Sequence, residues 1–435
     1  MFNEKPVFNL KVVLKETGIK ADVLRAWEKR YGLPMPHRSP GGHRLYSQKD
    51  IATIKWLMGR QAQGLSISSA VELWRQMESE SRDPFAEFET TSPQTALTRT
   101  ITTSVLDDLR RQWLDECKSF TENSAEQALN QAFSLYPVET VVTQLIQQAM
   151  REIGESWFRG DTTVQQEHFT SAMAIRRLDS LLAATPLPTR KESILLACPV
   201  DEWHTFPLHV MNLFLRRKGY PVVFLGANVP NNHLSDTAAN IQPSLVVLAS
   251  QHLASTSNLQ NATLELRKGN FEVAYGGRVF NTVPTLRERI PAHFLGTTIE
   301  ESLLMIERLI RSPLPLPEVN PIKQEYRLLA EEFKEKRGLI DNGTLNQAKE
   351  YGISPDHLLI ANLHLGNALS SALELGNMDF LAADLSWIKG LLTYHNVPSE
   401  QLNWYLLAYG ESMQKVMNGH SALFTNWINA VTSNS

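Results

Sequence analysis

Five short apolar runs between residues 192 and 296 constrain this 435-residue chain more than any other feature. "ESILLACPV", "YPVVFLGA", "PSLVVLASQ", "FEVAYGGRV" and "AHFLG" alternate with stretches of helical spacing. Runs so continuously apolar suit strands covered on both faces. The rhythm predicts a Rossmann-like, doubly wound parallel sheet over residues 190–312. Ligands on such sheets bind beyond the carboxyl ends of the strands. The first loop there is "DEWHTFP", with Glu202 and His204; the later runs end at Ser250, at Gly276-Gly277 and at Gly296-Thr297-Thr298. A glycine pair lets backbone approach a ligand closely.

Upstream, residues 104–186 recur at helical spacing and read as a four-helix bundle. Gly160 suits a helix C-terminus, and Thr163 with Gln166 reads as a capping box that opens the next helix. Trp157 then falls in the last turn of one helix. Glu167 and His168 fall in the first turns of its antiparallel neighbour. Taken singly, the tryptophan reads as core and the other two as a solvated terminus.

The first 77 residues differ in charge from the rest. Residues 1–60 carry twelve Lys/Arg against five Asp/Glu, whereas the remainder carries thirty against forty-one. A basic head on an acidic body points to a polyanion met by the head alone. Leu10, Val13 and Leu14 form the stripe of a first helix that Gly18 ends. A second helix over 20–30 turns Val23, Leu24 and Trp27 inward and leaves Lys20, Arg25, Lys29 and Arg30 to solvent. Two short helices with a tight turn form a helix-turn-helix, whose second helix enters a major groove. "HRSPGGHRLY" then reads as a hairpin wing from which Arg38, His43, Arg44 and Tyr46 project. Helices near 47–61 and 66–77 pack behind it. Residues 78–103 are polar, contain two prolines and read as a linker.

Two cysteines, Cys117 and Cys198, make neither a disulfide framework nor a zinc cluster and indicate a reducing compartment. With no signal peptide and no apolar run of spanning length, the expectation is a cytoplasmic protein without membrane contact.

Through "LRAWEKRYG" and "GGHRLYS" the head resembles the MerR family of transcription regulators. That resemblance implies that the helix from Lys20 reads the major groove of operator DNA. It implies phosphate contacts from Arg25, Arg30, Tyr31, Arg38 and Arg44, and His43 at the minor groove. Bundle and sheet together resemble the cobalamin-binding module, whose Asp/Glu-x-His-x-x-Gly loop corresponds to Glu202 through Pro207, with proline replacing the final glycine. The likeness makes His204 the lower axial ligand of cobalt, Glu202 its hydrogen-bond partner, and Ser250, Gly276 and Gly277 the lining for the nucleotide tail. Trp-x9-Glu-His, from Trp157 to His168, is similar to the signature of light-responsive cobalamin repressors of the CarH/LitR type. It implies that Trp157 and Glu167 cover the upper face beside an adenosyl group, and that His168 takes the cobalt after light.

The resemblance implies a non-enzymatic repressor, controlled by adenosylcobalamin and light through a dimer or tetramer that changes state. A regulator of the same fold with a degenerate site, answering to a partner protein or another ligand, stays open, as does a corrinoid methyl carrier. Beyond a proline-rich connector at 311–321, residues 322–435 read as four or five amphipathic helices of unknown role. Ser354-Pro355-Asp356 and Ser399-Glu400 suit helix starts, and Trp387, Trp404 and Trp427 read as core. This tail could contact a protein partner. Its His357, His364, His395 and His420 lack metal-ligand spacing.

Overall fold

The computed structural model describes residues 6–38, 42, 44–62, 67–79, 93–312, 314–348, 355–394, 398–417, 423–424 and 426–428. They divide into two compact units, residues 1–155 with 162–173, and residues 156–161 with 174–435. The expectations for His43, Ser354, His395 and His420 lie outside the described residues.

In the first unit, strand β1 (Phe8–Asn9) leads into α1 (Leu10–Thr17). The Asn9 side chain caps α1 by accepting from the Val12 amide, and Gly18 ends it at a φ of 69°. That left-handed turn favours glycine. Helix α2 (Ala21–Tyr31) closes the same way on Gly32. Strands β2 (His37–Arg38) and β3 (Arg44–Tyr46) form an antiparallel hairpin, and β1 joins the free side of β3. Helices α3 (Gln48–Ala62) and α4 (Ile67–Ser79) complete the head. Its core gathers Val13, Leu24, Trp27, Ile54, Leu57 and an edge-to-face Trp56–Trp74 pair with ring centres 5.2 Å apart.

Two inward and outward assignments change. Val23 is exposed, because Leu24 and Trp27 already fill the stripe that α2 turns to the core. Tyr46 is wholly buried rather than projecting from the wing. Its ring packs in the core, since β3 is the central strand and one of its faces must be covered.

The second half of the stretch read as a linker is helical. Helix α5 (Pro93–Lys118) starts with proline at the end where a missing donor is harmless. Its threonine-rich opening has no apolar period, which hid the helix. Next come α6 (Glu122–Leu135), α7 (Val138–Thr140), a π-helical turn (Val141–Ile146), α8 (Gln147–Phe158) and α9 (Val164–Ala183). The capping box at the start of α9 is reciprocal: Thr163 N donates to Gln166 Oε1 at 2.8 Å and Gln166 N to Thr163 Oγ1 at 3.3 Å.

The second unit holds a five-stranded parallel sheet in the order β5-β4-β6-β7-β8. Its strands are β4 (Ile194–Pro199), β5 (Val222–Val229), β6 (Leu245–Ala249), β7 (Val273–Gly276) and β8 (His293–Phe294). Every residue of β4 and β6 is buried, as continuous apolar runs require. Helices α10 (Phe206–Arg217), α11 (Leu234–Ile241), α12 (Leu253–Lys268), α13 (Val279–Thr282) and α14 (Ile299–Arg311) cross between strands or follow the last. The chain reverses its direction of growth at β4, between β5 and β6. The loop after β4 therefore sits at the switch point, where such sheets bind ligands.

The tail forms α15 (Gln324–Ala348), α16 (Pro355–Glu374), α17 (Ala382–Tyr394) and α18 (Ser399–Val416). Its core is continuous with that of the sheet: Leu259 and Leu266 of α12 and Leu365, Leu369 and Leu373 of α16 belong to one apolar cluster. Ser257 N also donates to Ser371 Oγ at 3.0 Å. The connector is pinned as well, with Asn320 N donating to the Glu288 carbonyl and Arg289 to the Asn320 carbonyl. Trp387 and Trp404 do not fill the core; both are exposed, and Phe333, Phe380, Tyr405 and Tyr409 take that place. Trp427 is half-buried and stacks on Phe424.

Candidate functional site

On the head, Lys20, Arg25, Lys29, Arg30 and Arg38 are exposed. Lys20 is the N-cap residue of α2, so the cations run along the outer side of that helix from its start. Arg30 lies over the Tyr31 ring at 5.5 Å, and Tyr31 in turn shares a hydrogen bond with Ser68. The wing is anchored by a residue that sequence reasoning missed. Glu28 accepts hydrogen bonds from Arg44 Nε at 3.0 Å and from the Tyr46 hydroxyl. Burial, and then the Glu28 carboxylate, push the Tyr46 phenol far above its ordinary pKa. Tyr46 is therefore an internal strut, and Arg44 is half-buried with one donor committed to Glu28. Glu28 stands inside a run of charges, and only folding reveals that it turns back toward the hairpin.

At the switch point, Glu202 is wholly buried. Its Oε1 accepts from the His204 backbone N at 2.9 Å and from His204 Nδ1 at 2.8 Å. Its Oε2 accepts from Gln251 N at 2.6 Å and from Ser255 Oγ at 2.8 Å. Burial raises the carboxyl pKa, but the bonds from His204 and Gln251 outweigh it and bring the value down to about 2. An ionised Glu202 takes a proton-bearing Nδ1 as its partner, so the neutral tautomer of His204 leaves Nε2 with a lone pair. The His204 side chain is 61% exposed. The donor is fixed on its inner side and open on its outer one.

The neighbouring loops hold this pair in place. Asp201 adopts a φ of 66°, and its amide donates to Asn228 Oδ1 at 2.9 Å. Asn228 N donates to the Glu202 carbonyl at 2.9 Å. Pro207 falls in the first turn of α10, where no intrahelical donor is needed, so proline in place of glycine leaves the helix start intact. Gly277 has a φ of 126°, and a Cβ there would sit 1.8 Å from the Ser250 carbonyl oxygen. Only glycine permits that approach of β7 to β6. Ser250, expected to line the site, is instead buried behind it: its hydroxyl bonds to Ser255 Oγ and the His252 carbonyl. It shapes the cradle through its backbone.

Gln251, His252, Ser255, Asn228 and Arg278 were not singled out from sequence. Their signal was position, since each follows or ends a strand on the carboxyl side or begins the helix after it. The His252 ring lies 4.5 Å from that of His204. Surrounding protein, and then His204, hold its pKa down to about 4.

Trp157 lies in the last turn of α8, half-buried, with its ring centre 6.1 Å from that of Trp387. Glu167 accepts from Ser171 Oγ at 2.8 Å through Oε1 and bonds to His168 Nδ1 at 2.7 Å through Oε2. His168 is exposed, and one of its two ring nitrogens is thus committed. Among the described residues no group of three or more His, Cys, Asp or Glu could hold a metal ion, and no helix is long and apolar enough to cross a membrane.

The MerR HTH family of regulatory proteins matches residues 8–77, and the B12 binding domain matches residues 109–182. The HTH-type transcriptional repressor CarH of Myxococcus xanthus is 27% identical over 299 residues, covering 66% of this chain and 94% of that protein. The repressor CarA of the same organism is 29% identical over 243 residues, covering 55% of this chain and 75% of its own length. The monomethylamine corrinoid protein of Methanosarcina barkeri superposes on 47% of this chain and 98% of its own, with 16% identity and a TM-score of 0.39.

The residues present fit a cobalt corrinoid. The open Nε2 of His204 is a good donor for cobalt, and its other nitrogen carries the carboxylate partner that ligating histidines usually have. Beside them, Gln251 Nε2 is buried without a partner among the described residues, a donor available to a ligand amide. The chain joins a MerR helix-turn-helix domain to a B12-binding domain and is homologous to the repressors CarH and CarA.

Proposed function

We propose that this protein is a MerR-type, cobalamin-binding transcriptional repressor, and that it holds adenosylcobalamin and answers to light by changing its oligomeric state. The observation that carries the reading is the Glu202–His204 pair at the switch point, with Nδ1 fixed and Nε2 open, in a chain whose head exposes a row of cations. When bound, the cofactor supplies a cobalt–carbon bond that light can break.

The chain's own residues do the rest. His204 would hold cobalt through Nε2, and Glu202 would keep the ring oriented by holding the proton on Nδ1. Gly276, with open space beside its Cα, would leave room for the nucleotide tail, and Gly277 would set the Ser250 backbone next to it. Trp157 shields the upper face from water, and Glu167 accepts ribose hydroxyls. His168, with Nδ1 bonded to Glu167, would offer its other ring nitrogen to cobalt. In the head, Lys20, Arg25, Arg30, Tyr31, Arg38 and Arg44 position double-stranded operator DNA through its phosphates. A single small head binds weakly, and joining several in a dimer or tetramer multiplies apparent affinity by roughly 10²–10⁴.

The test is reconstitution in darkness, followed by an absorption spectrum, gel filtration and operator binding before and after green light. A coloured protein whose elution volume and DNA affinity both change on illumination is expected. One elution volume under every condition would overturn control by assembly. The Trp157–Trp387 contact favours a second reading, a repressor that answers to a partner protein or another ligand. Protein that stays colourless yet binds operator would establish that alternative.

A further inference from the structure

Helix α17 reaches two places that the corrinoid reading requires to be open. At one, the Trp387 ring lies 6.1 Å from Trp157 at an interplanar angle of 35°, and 5.6 Å from Phe158 at 31°. Tyr394 meets the same Phe158 edge-on at 5.6 Å. Between them, Gly390 lets the helix close in: a Cβ there would come within 2.7 Å of Phe158 Cζ. At the other place, Asp384 feels the charge of Arg278, the residue that follows Gly276-Gly277. Arg278 N is held by Gln251 Oε1 at 3.0 Å, and Gln251 N is bonded to Glu202. Helix α17 thus brings Asp384 within the field of Arg278 and covers the tryptophan expected above the corrin.

Helix α17 is anchored differently from its neighbours. Leu385 is its one fully buried residue out of 13, whereas α16 buries Leu358, Leu365, Leu369 and Leu373 among others. Few buried contacts give a segment a low free energy of local opening. Trp387 remains 40% exposed, so its contact with Trp157 and Phe158 is peripheral rather than core. The Asp384 carboxyl, by contrast, is crowded enough that burial pushes it up to about 6 against the pull of Arg278. These features describe an element resting in place on a rigid base.

We propose that α17 is a lid built into the C-terminal domain, closed over Trp157 and displaced when a corrinoid binds. This rests on the cofactor reading above. Closure uses an aromatic pair that the cofactor would otherwise engage, so lid and ligand compete for Trp157. The tail then acts as the element that reports occupancy of the sheet edge, and α15, α16 and α18 stay fixed to the sheet while α17 moves.

The test uses the full-length protein with hydroxocobalamin as probe. Wild type, Trp387→Ala and Gly390→Ala are titrated by absorbance, and hydrogen exchange of residues 382–394 is followed with and without the probe. A lid predicts that both variants bind about tenfold more tightly, since aromatic pairs holding it shut are worth about that factor. It also predicts that exchange across 382–394 in the wild type speeds up on loading. Unchanged or weaker binding by both variants, or greater protection of 382–394 on loading, overturns the lid while leaving the cofactor reading intact. Failure of all three proteins to bind the probe overturns both.

Discussion

The head and the sheet edge place charged groups in opposite ways. On α2 and β2 the basic side chains point outward, and Arg25, Arg30 and Arg38 are exposed. At the sheet edge a single carboxylate, Glu202, is buried and collects donors from its own loop, from the loop after β6 and from α12. Solvated cations act nearly independently of one another, whereas a buried carboxylate couples every group that it holds. Changes on the head should therefore act one by one, and a change at the edge should be felt by several loops together.

The largest expected effect breaks the edge. Glu202→Ala removes four hydrogen bonds and leaves the buried Gln251 amide without its acceptor, while the Ser255 hydroxyl keeps only the His252 carbonyl and Ser250, which should cost the sheet unit about 3 kcal/mol. Chemical denaturation followed by tryptophan fluorescence measures it. A loss below about 1 kcal/mol would mean that the network is not cooperative. Glu202→Gln keeps the size and one acceptor, so it should fold and instead lose cofactor affinity by about 10–100-fold.

His204→Ala sharpens the contrast within the edge itself. Its ring is exposed but its Nδ1 bonds to the buried Glu202 carboxylate, so stability should fall by about 1 kcal/mol, well short of Glu202→Ala, while the cobalt absorption bands shift. A stability loss as large as that of Glu202→Ala would show that the imidazole is structural.

On the head, Arg30→Ala and Arg38→Ala should each weaken operator and non-operator DNA alike and lower the slope of log affinity against log salt by about 1. Their effects should add, and the cofactor spectrum should not move. Tyr46→Phe breaks the pattern in the other direction. It removes the hydroxyl that Glu28 accepts, and should cost about 1 kcal/mol of head stability with an unchanged salt slope.

The smallest effect concerns the thiols. Burial pushes Cys117 and Cys198 up to about 12, and nearby carboxylates add to it, so both remain protonated at pH 8. In the unfolded chain the same thiols ionise near their ordinary value of about 8.5 and react. Alkylation at pH 8 should then track unfolding, and Glu202→Ala should accelerate it at Cys198 before Cys117. Rapid labelling of native protein at both positions would contradict their burial.

Local rules made the framework legible. Gly18 and Gly32 close helices in the left-handed region, the Thr163–Gln166 box is reciprocal, and the five apolar runs contain the five parallel strands. Each of these depends on residues within a few positions of one another. The misassignments have a different origin. Tyr46 turns inward because the hairpin packs on α2 through Glu28, and Val23 turns outward because Leu24 and Trp27 already fill the inward stripe of that helix. Two-residue β1 is too short to show a period, and α5 begins in threonines that carry none. Ser250 sits on the right strand, but its hydroxyl is taken by Ser255, five residues on.

By itself the sequence determined the order of elements, the basic head and the Glu202–His204 loop at the carboxyl side of a parallel sheet, because periodicity, caps and strand direction are properties of contiguous chain. Only the tertiary structure decided that Glu202 is fixed by Gln251 and Ser255, that Glu28 draws Arg44 and Tyr46 inward, and that Trp387 faces Trp157 across more than two hundred residues. Those pairings are set by how complete surfaces pack and by which buried polar groups must find partners, and nothing in the spacing of either residue encodes the other.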